Sequence, residues 1–124
     1  MITAIGVDMV EVARIQRLMD RYGLRFVSRV LGQQETTILC TRHDAAQFVA
    51  GRFAAKEALI KAFGKYLTER PSFSQIEIIA DSAGRPGVTC RFPLGDSLSS
   101  VRMLVSISHE KSYAVAIAIL SEEP

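Results

Sequence analysis

Apolar residues recur at helical spacing in two parts of the chain. Positions 12, 15, 18, 19 and 22 form one stripe, which predicts a helix over 11–22 that the next glycine can end. A longer pattern surrounds GRFAAKEALIKAFG at 51–64. Thr41 with Asp44 resembles a capping box, so this main helix is expected to begin near residue 42 and to end at 63, before a glycine.

Shorter runs predict the remaining elements. Helical turns are expected over 26–31 and 94–100, and strands rich in Ile and Val over 2–7, 75–80, 88–92, 102–108 and 113–120. DSAGRPG at 81–87 predicts a turn, and HEKS at 109–112 predicts a hairpin between the last two strands. Helices come early and antiparallel strands late, which indicates an α+β fold rather than a doubly wound sheet.

Length and composition favour one globular domain covering residues 1–124. Hydrophobic residues make up 48% of the chain and Trp is absent, so small and aliphatic side chains must fill the core. The formal net charge is only +2, and the basic residues are not interleaved with aromatic ones. Both features argue against a nucleic-acid partner.

The cysteines and the first residues predict the compartment. Cys40 and Cys90 form neither a disulfide framework nor a zinc motif, which favours free thiols in a reducing environment. No basic leader precedes the first apolar residues, and no apolar run reaches the ~20 residues needed to span a membrane. We therefore expect a cytoplasmic protein that does not enter a membrane.

Basic side chains cluster in the first predicted helix and just after it. Arg14, Arg17 and Arg21 repeat at i, i+3 and i+7, so they share a face separate from the apolar stripe. This local basic surface predicts an acidic partner or a phosphate group.

The main helix carries charge within its apolar pattern. Glu57 and Lys61 stand at i and i+4, and an exposed ion pair there contributes roughly 0.2–0.5 kcal/mol. The alternative is a ligand site. If Asp8 at the end of the first strand meets this helix face, Asp8 and Glu57 provide two hard oxygen ligands for Mg²⁺, and Lys61 can reach a phosphate oxygen. Spacing alone leaves both alternatives open.

The two histidines differ in their setting. His43 lies near the start of the main helix and is interpreted as a structural or exposed residue. His109 follows VSIS at a strand end and opens the hairpin. It is either an incidental turn residue or a contact to phosphate.

Three segments in a fixed order resemble one family. GVD at 6–8, GRFAAKEALIKAFG at 51–64 and VSISH at 105–109 are together similar to the holo-acyl-carrier-protein synthases, which are 4′-phosphopantetheinyl transferases. AGRP at 83–86 falls where that family has a Gly-x-Pro turn. The resemblance covers nearly the whole chain. It implies a long central helix packed on an antiparallel sheet, in a homotrimer with active sites at the subunit interfaces.

The resemblance implies a group-transfer reaction. The phosphopantetheine arm of coenzyme A moves to a serine hydroxyl of apo acyl carrier protein, adenosine 3′,5′-bisphosphate is released, and Mg²⁺ is required. Asp8 and Glu57 are implied as the metal ligands, with Lys61 near the phosphates. The serine proton would pass to Glu57, to Glu35 or to a metal-bound water.

The resemblance also implies contacts to both substrates. Coenzyme A would be bound from three segments, by Arg52, Lys61, Gly64, Arg85, Pro86, Ser108 and His109. The arginine face, with Arg14, Arg17 and Arg21, would dock the acidic carrier protein.

Two other classes of function stay open on the residues alone. A non-catalytic module for coenzyme A or a nucleotide would use the same basic residues, but it would not need Asp8 and Glu57 together. A regulatory protein that docks acidic partners through the arginine face would not need the 51–64 segment. Coenzyme A binding that depends on Mg²⁺ separates both from the transferase.

Overall fold

The computed structural model describes residues 1–123 as a mixture of helices and antiparallel strands. The helices, in chain order, are α1 (Val12–Tyr22), α2 (Leu24–Val30), α3 (Gln33–Leu39), α4 (Ala45–Phe63) and α5 (Gly95–Ser99). The strands are β1 (Ile2–Glu11), β2 (Ile76–Ala80), β3 (Pro86–Cys90), β4 (Val101–His109) and β5 (Tyr113–Glu122). A 3₁₀ turn at Phe73–Gln75 leads into β2.

The long helix α4 packs on one face of a three-stranded sheet. β5 lies between β1 and β4 in that antiparallel sheet, and β2 pairs with β3 in a separate antiparallel hairpin. The residues of β5 that face α4 are small or aliphatic: Ala114, Ala116, Ala118 and Leu120. Small side chains let the helix approach the sheet closely. The expected α+β fold, with a long helix on an antiparallel sheet, is confirmed.

The closest approach of α4 to the sheet is at Gly6 on β1. A Cβ atom at Gly6 would overlap the carbonyl oxygen of Ala58, so the position accepts only glycine without a shift of the helix. Side chains alternate along a strand, so Asp8 projects toward the same face as Gly6. The glycine of the GVD segment thus lets its aspartate come close to α4.

We expect Gly6→Ala to lower the free energy of unfolding by roughly 1–3 kcal/mol, because the added methyl group forces α4 away from β1. Urea denaturation measures this change. Gly87→Ala is the matched control, since a Cβ there lies 3.4 Å from the nearest atom, the carbonyl oxygen of Ile79. Equal losses in the two variants would mean that close helix–strand contact is not the cause.

The outer face of the three-stranded sheet is apolar but exposed. On β1, Ile5, Val7 and Met9 are exposed by 62%, 58% and 64%. Leu104, Val115 and Ile117 extend this surface across β4 and β5. Contiguous exposed apolar surface of this kind is typical of interaction sites for proteins, membranes or ligands.

Several element boundaries differ from the sequence-based expectation. β1 continues past residue 7, because Asp8 to Glu11 keep pairing with β5, so Asp8 lies inside the strand. The strands of the β2–β3 hairpin run over 76–80 and 86–90, which brings Pro86 into β3. A short helix, α3, was not expected. Its first turn is held by the carboxylate of Glu35, which accepts a hydrogen bond from the backbone N–H of Gly32 at 2.9 Å.

The predicted capping box at the start of α4 is wrong. The hydroxyl of Thr41 donates to the carbonyl oxygen of Ile38, and the carboxylate of Asp44 binds the guanidinium of Arg42 with both oxygens at 2.7 Å. Neither side chain caps α4, which begins at Ala45. Within residues 1–123, no helix is long and apolar enough to cross a membrane.

Candidate active site

Strand β1 and helix α4 meet at a polar contact near the end of the helix. The ammonium group of Lys61 donates to the carboxylate of Asp8 at 3.2 Å and to the backbone carbonyl of Val7 at 3.0 Å. The side chain of Asp8 is 20% exposed and that of Lys61 is 53% exposed. The strand and the charged helix face therefore meet at Asp8 and Lys61, the contact that spacing alone left open.

The second carboxylate of the site lies one helical turn before Lys61. Glu57 accepts a hydrogen bond from the guanidinium of Arg70 at 2.9 Å and keeps 23% of its side chain exposed. Residues four apart on a helix share a face, so Glu57 and the Lys61–Asp8 pair lie on the same side of α4. Two carboxylates and two cations thus meet at this part of α4: Glu57 and Lys61 from the helix, Asp8 from β1 and Arg70 from the loop after the helix.

The donor set fits a magnesium ion. Mg²⁺ binds oxygen ligands and usually takes one or two carboxylates, leaving its other positions to water and phosphate oxygens. Asp8 and Glu57 are both partly exposed carboxylates. Across the described part of the chain, no group of three or more His, Cys, Asp or Glu side chains could hold a metal. The residues therefore suit an ion that draws further ligands from water or substrate, and not a closed protein cage.

Two adjoining cavities open beside this cluster. One, of about 240 Å³, is lined by the end of α4 and by the loop that follows it, including Gly64 and Arg70. The other, of about 460 Å³, lies between that same loop and residues 92–95. Arg70 lines both cavities and also donates to Glu57, so it joins this open space to the carboxylate.

Glu35 lies in a different environment from the one its proposed role as general base requires. Its side chain is fully buried, and the ammonium group of Lys56 contacts one carboxylate oxygen at 2.5 Å. The other oxygen accepts a hydrogen bond from the backbone N–H of Ile78 at 3.0 Å. A buried carboxylate with both oxygens engaged cannot meet a substrate hydroxyl, so the expectation for Glu35 is wrong. Its place is structural.

Burial and pairing shift the pKa values of charged groups around Glu35. Burial lowers the pKa of Lys56, and its pairing with Glu35 offsets only part of that effect. Burial acts to raise the pKa of Glu77, but hydrogen bonds from Arg91 and from the backbone N–H groups of α3 hold that pKa below its ordinary value. The stabilisation from Glu77 is therefore fully present at neutral pH and is lost only in acid, as pH falls through the folded-state value.

Arg52 belongs to the same buried network. One guanidinium nitrogen donates to the carbonyl oxygen of Ile78 at 3.0 Å, and the group stacks on the ring of Phe48 at 4.4 Å. Its Nε lies 3.6 Å from Glu35 and makes no hydrogen bond. Only 15% of the side chain is exposed, which is a structural setting and not the free cation that the coenzyme A role implied.

His109 lies at the other end of α4 from the carboxylate pair. Its ring packs beside Gly51, and its Nδ1 is 3.1 Å from the side-chain oxygen of Gln47. Ten residues of helix separate Gly51 from Lys61, which is roughly 15 Å along the axis. One chain therefore does not bring His109 to the cluster of Asp8, Glu57 and Lys61.

The remaining predicted coenzyme A residues are spread over the surface. Gly64 follows the last residue of α4 and takes a right-handed conformation, with φ of −41°. Arg85 is 82% exposed and stands 3.7 Å from Asp81, and Pro86 opens β3. Ser108 is exposed next to His109 at the end of β4. Of this set, only Gly64 lines a cavity next to the carboxylates.

The three arginines of the predicted docking face are exposed on α1. Val12 and Ile15 turn into the core instead, as the apolar stripe predicted. Arg17 stands 3.6 Å from Glu11, and Arg21 stacks on the ring of Tyr22 at 5.3 Å. A cavity of about 330 Å³ next to this face is lined by Leu18, Tyr22, Arg25, Phe26 and Arg29. The surface thus combines positive charge with an apolar groove.

Three residues of this region had no part in the sequence interpretation. Lys56 falls on the buried side of α4 between Ala55 and Leu59, so its helical position could have revealed it. Arg70 and Gln47 have no such signal. They contact Glu57 and His109 only because distant parts of the chain fold together.

Comparison with known proteins places this geometry in context. The sequence profile of the 4′-phosphopantetheinyl transferase superfamily matches residues 4–118. A holo-[acyl-carrier-protein] synthase of Chlorobium limicola is 43% identical over 122 residues, covering 97% of this chain and 94% of that protein. Asp8, Glu57, helix α4 and the β2–β3 hairpin all lie within the matched range.

Solved structures show the same fold. A holo-(acyl-carrier-protein) synthase from Bacillus anthracis, crystallised with coenzyme A (3′,5′-ADP), matches with a TM-score of 0.83 and 34% identity over 99% of each chain. The Neisseria meningitidis holo-[acyl-carrier-protein] synthase matches with a TM-score of 0.84 and 32% identity, covering 98% of this chain and all of the other. At these identities the similarity is one of sequence as well as of fold.

Proposed function

This chain belongs to the 4′-phosphopantetheinyl transferase superfamily, and from that premise we propose that it transfers 4′-phosphopantetheine from coenzyme A to a serine of apo acyl carrier protein. The products are holo acyl carrier protein and adenosine 3′,5′-bisphosphate. The observation that carries the proposal is the contact of Lys61 with Asp8, one helical turn from Glu57, whose partner Arg70 lines an open cavity.

The reaction makes one phosphorus–oxygen bond and breaks another. The serine oxygen attacks the phosphorus that bears the pantetheine arm, and the bridging oxygen leaves with the adenosine bisphosphate. The pyrophosphate is negatively charged and repels the incoming oxygen, so catalysis requires positive charge at the phosphates. Lys61 supplies one such charge. The serine proton leaves to Glu57 or to water, since Glu35 is buried.

Asp8 and Glu57 are the residues that would hold Mg²⁺. A bound Mg²⁺ would offset the charge of the pyrophosphate and of the leaving bisphosphate. Asp8 and Glu57 also lie on two different elements, and the packing of α4 on Gly6 holds those elements together. The spacing of the two ligands therefore depends on the sheet–helix contact and not on one loop.

We further propose a homotrimer with the coenzyme A site between subunits. His109 and Ser108 lie far from Lys61 within one chain, and a second copy would bring them to the phosphate groups bound at Lys61. The exposed apolar face, with Ile5, Val7 and Met9, supplies surface for such an assembly. Arg85 and Pro86, like His109, would then contact coenzyme A bound at a neighbouring Lys61.

The carrier protein would dock on the arginine face of α1. An acidic partner meets Arg14, Arg17 and Arg21 there, and an apolar side chain of the partner could enter the groove beside Phe26. Charge of this kind speeds encounter and orients the partner more than it raises affinity.

Reversing the charge at Arg14 tests this docking. We expect Arg14→Glu to raise the apparent KM for the carrier protein by roughly tenfold, since like-charge contact costs on the order of a kcal/mol or more. The KM for coenzyme A should stay nearly constant. Steady-state kinetics with each substrate varied in turn gives both values, and equal losses for the two substrates would contradict the role.

We also propose that the chain forms one transferase domain and works in the cytoplasm. The hydrophobic core joins residues from both ends of the chain, from Val10 to Leu120. Burial raises the pKa of the Cys90 thiol to about 11, so it is unreactive, and Cys40 is a free thiol. Free thiols suit a reducing compartment.

The direct test is a mass measurement. Apo acyl carrier protein is incubated with this protein, coenzyme A and Mg²⁺, and the carrier is then weighed by mass spectrometry. A gain of one phosphopantetheine is expected, and it should vanish when EDTA removes the metal. Binding of coenzyme A without any gain would favour a non-catalytic module. Neither binding nor gain would contradict the proposed function.

A further inference from the structure

Each carboxylate of the site is covered by a basic side chain. Lys61 contacts Asp8 at 3.2 Å, and Arg70 contacts Glu57 at 2.9 Å. The four formal charges sum to zero. A divalent cation and the two charges of a pyrophosphate diester also sum to zero. Loading the site therefore leaves its net charge unchanged, but each basic group loses a carboxylate to the metal.

Arg70 is free to change partners. It lies in the loop that joins α4 to the 3₁₀ turn, and its side chain is 61% exposed. Its guanidinium stands 5.6 Å from the ring of Phe73, which can support it in more than one orientation. No helix or strand has to unfold for the group to leave Glu57.

The alternative position for Arg70 is toward the cavities. Arg70 lines two open cavities while its guanidinium donates to Glu57, so the same side chain borders both the carboxylate and the space that a ligand would fill. A guanidinium matches phosphate as well as carboxylate, because its planar fork gives two parallel hydrogen bonds to either group. A phosphate oxygen in the cavity is thus a chemically equivalent partner.

We propose that Arg70 is a substrate-binding residue that exchanges one anion for another. It neutralises Glu57 in the unloaded protein, and it binds a phosphate oxygen of coenzyme A once a divalent cation occupies the carboxylates. The inference rests on the proposed function, because it takes Glu57 as a metal ligand. Without coenzyme A, Arg70 competes with the metal for Glu57. With coenzyme A bound, Arg70 helps to hold its phosphate group.

The variant Arg70→Gln tests both halves with direct binding measurements. Mn²⁺ alone, followed by electron paramagnetic resonance, should bind roughly two- to fivefold more tightly, because an exposed ion pair no longer competes for Glu57. Coenzyme A in saturating Mg²⁺, followed by calorimetry, should bind about tenfold more weakly, because a charged hydrogen bond is lost. The two affinities are expected to move in opposite directions.

Arg42→Gln is the matched control. Arg42 also pairs with a carboxylate, Asp44, and also stands over a phenylalanine ring, at 5.2 Å from Phe48. Neither binding constant should change in that variant, and circular dichroism melting checks that both variants are folded. Without a folding defect, any effect confined to Arg70→Gln reports on the site.

The outcomes separate the inference from the proposed function. Unchanged constants in Arg70→Gln, or a loss of affinity for both Mn²⁺ and coenzyme A, would overturn the exchange of partners. Measurements on the wild-type protein test the proposed function independently. If its coenzyme A binding and its modification of carrier protein do not depend on Mg²⁺, the metal role of Glu57 fails, and the exchange fails with it.

Discussion

A chain carrying both Asp8→Ala and Glu57→Ala is expected to leave apo acyl carrier protein unmodified when coenzyme A and Mg²⁺ are present. Both hard oxygen ligands are lost, so the metal cannot offset the charge of the pyrophosphate. Several kcal/mol of transition-state stabilisation disappear with it, which corresponds to a rate loss of about a thousandfold or more. A time course of carrier mass by mass spectrometry measures this loss.

Removing two carboxylates also changes the charge of the protein, so a matched double variant is needed. Asp96→Ala with Glu123→Ala removes two exposed carboxylates outside the site and should keep full activity. The transfer rate of each single variant, at Asp8 or at Glu57, should lie between the rates of the two double variants. Each single variant should also need more Mg²⁺. Transfer by the Asp8 and Glu57 double variant at the wild-type rate, with unchanged Mg²⁺ dependence, would rule out this metal site.

The second large effect is on stability and comes from the buried pair of Glu35 and Lys56. We expect Glu35→Ala to lower the free energy of unfolding by roughly 3–5 kcal/mol, because it leaves a fully buried lysine without its carboxylate. That is a large part of the 5–15 kcal/mol that typically holds a domain folded. Urea denaturation followed by circular dichroism gives the value.

Two comparison variants show whether the loss comes from the unpaired charge. Glu11→Ala breaks the exposed pair with Arg17 and should cost about 1 kcal/mol or less. Glu35→Gln with Lys56→Met removes both buried charges but keeps a side-chain oxygen for the backbone N–H groups, so it should recover part of the stability. A Glu35→Ala protein that stays fully stable but loses all transfer activity would instead restore Glu35 as the general base.

The exposed arginines and the buried network show why some roles were misassigned from sequence. Arg14 and Glu35 are both charged residues near helical segments, and nothing in their neighbours in the chain distinguishes them. The structure leaves Arg14 on the surface but encloses Glu35 between α3, α4 and β2. Burial depends on which elements pack together. A local sequence pattern could therefore suggest Glu35 as a base, but it could not show that Glu35 is buried.

Several helix and strand boundaries were mispredicted for a similar reason. The first strand was expected to stop at Val7, where the run of Ile, Val and Gly ends, but backbone pairing with β5 continues to Glu11. Thr41 and Asp44 have the spacing of a capping box. In the structure the Thr41 hydroxyl instead donates to the carbonyl oxygen of Ile38, and the Asp44 carboxylate binds Arg42. Helix α3 has little apolar periodicity. Glu35 holds its start through a local hydrogen bond from the N–H of Gly32, but the bond from Gln34 to Glu77 joins residues 43 positions apart and comes from packing.

Periodicity and residue type are local properties, and they sufficed for the fold class and for the central helix with its charged face. The family came from the resemblance of GVD, GRFAAKEALIKAFG and VSISH to known sequences. Three contacts could be read only from the folded chain: Lys61 with Asp8, Arg70 with Glu57, and buried Glu35 with Lys56. Those contacts join residues between 13 and 53 positions apart, and close packing of the folded chain alone sets which of them meet.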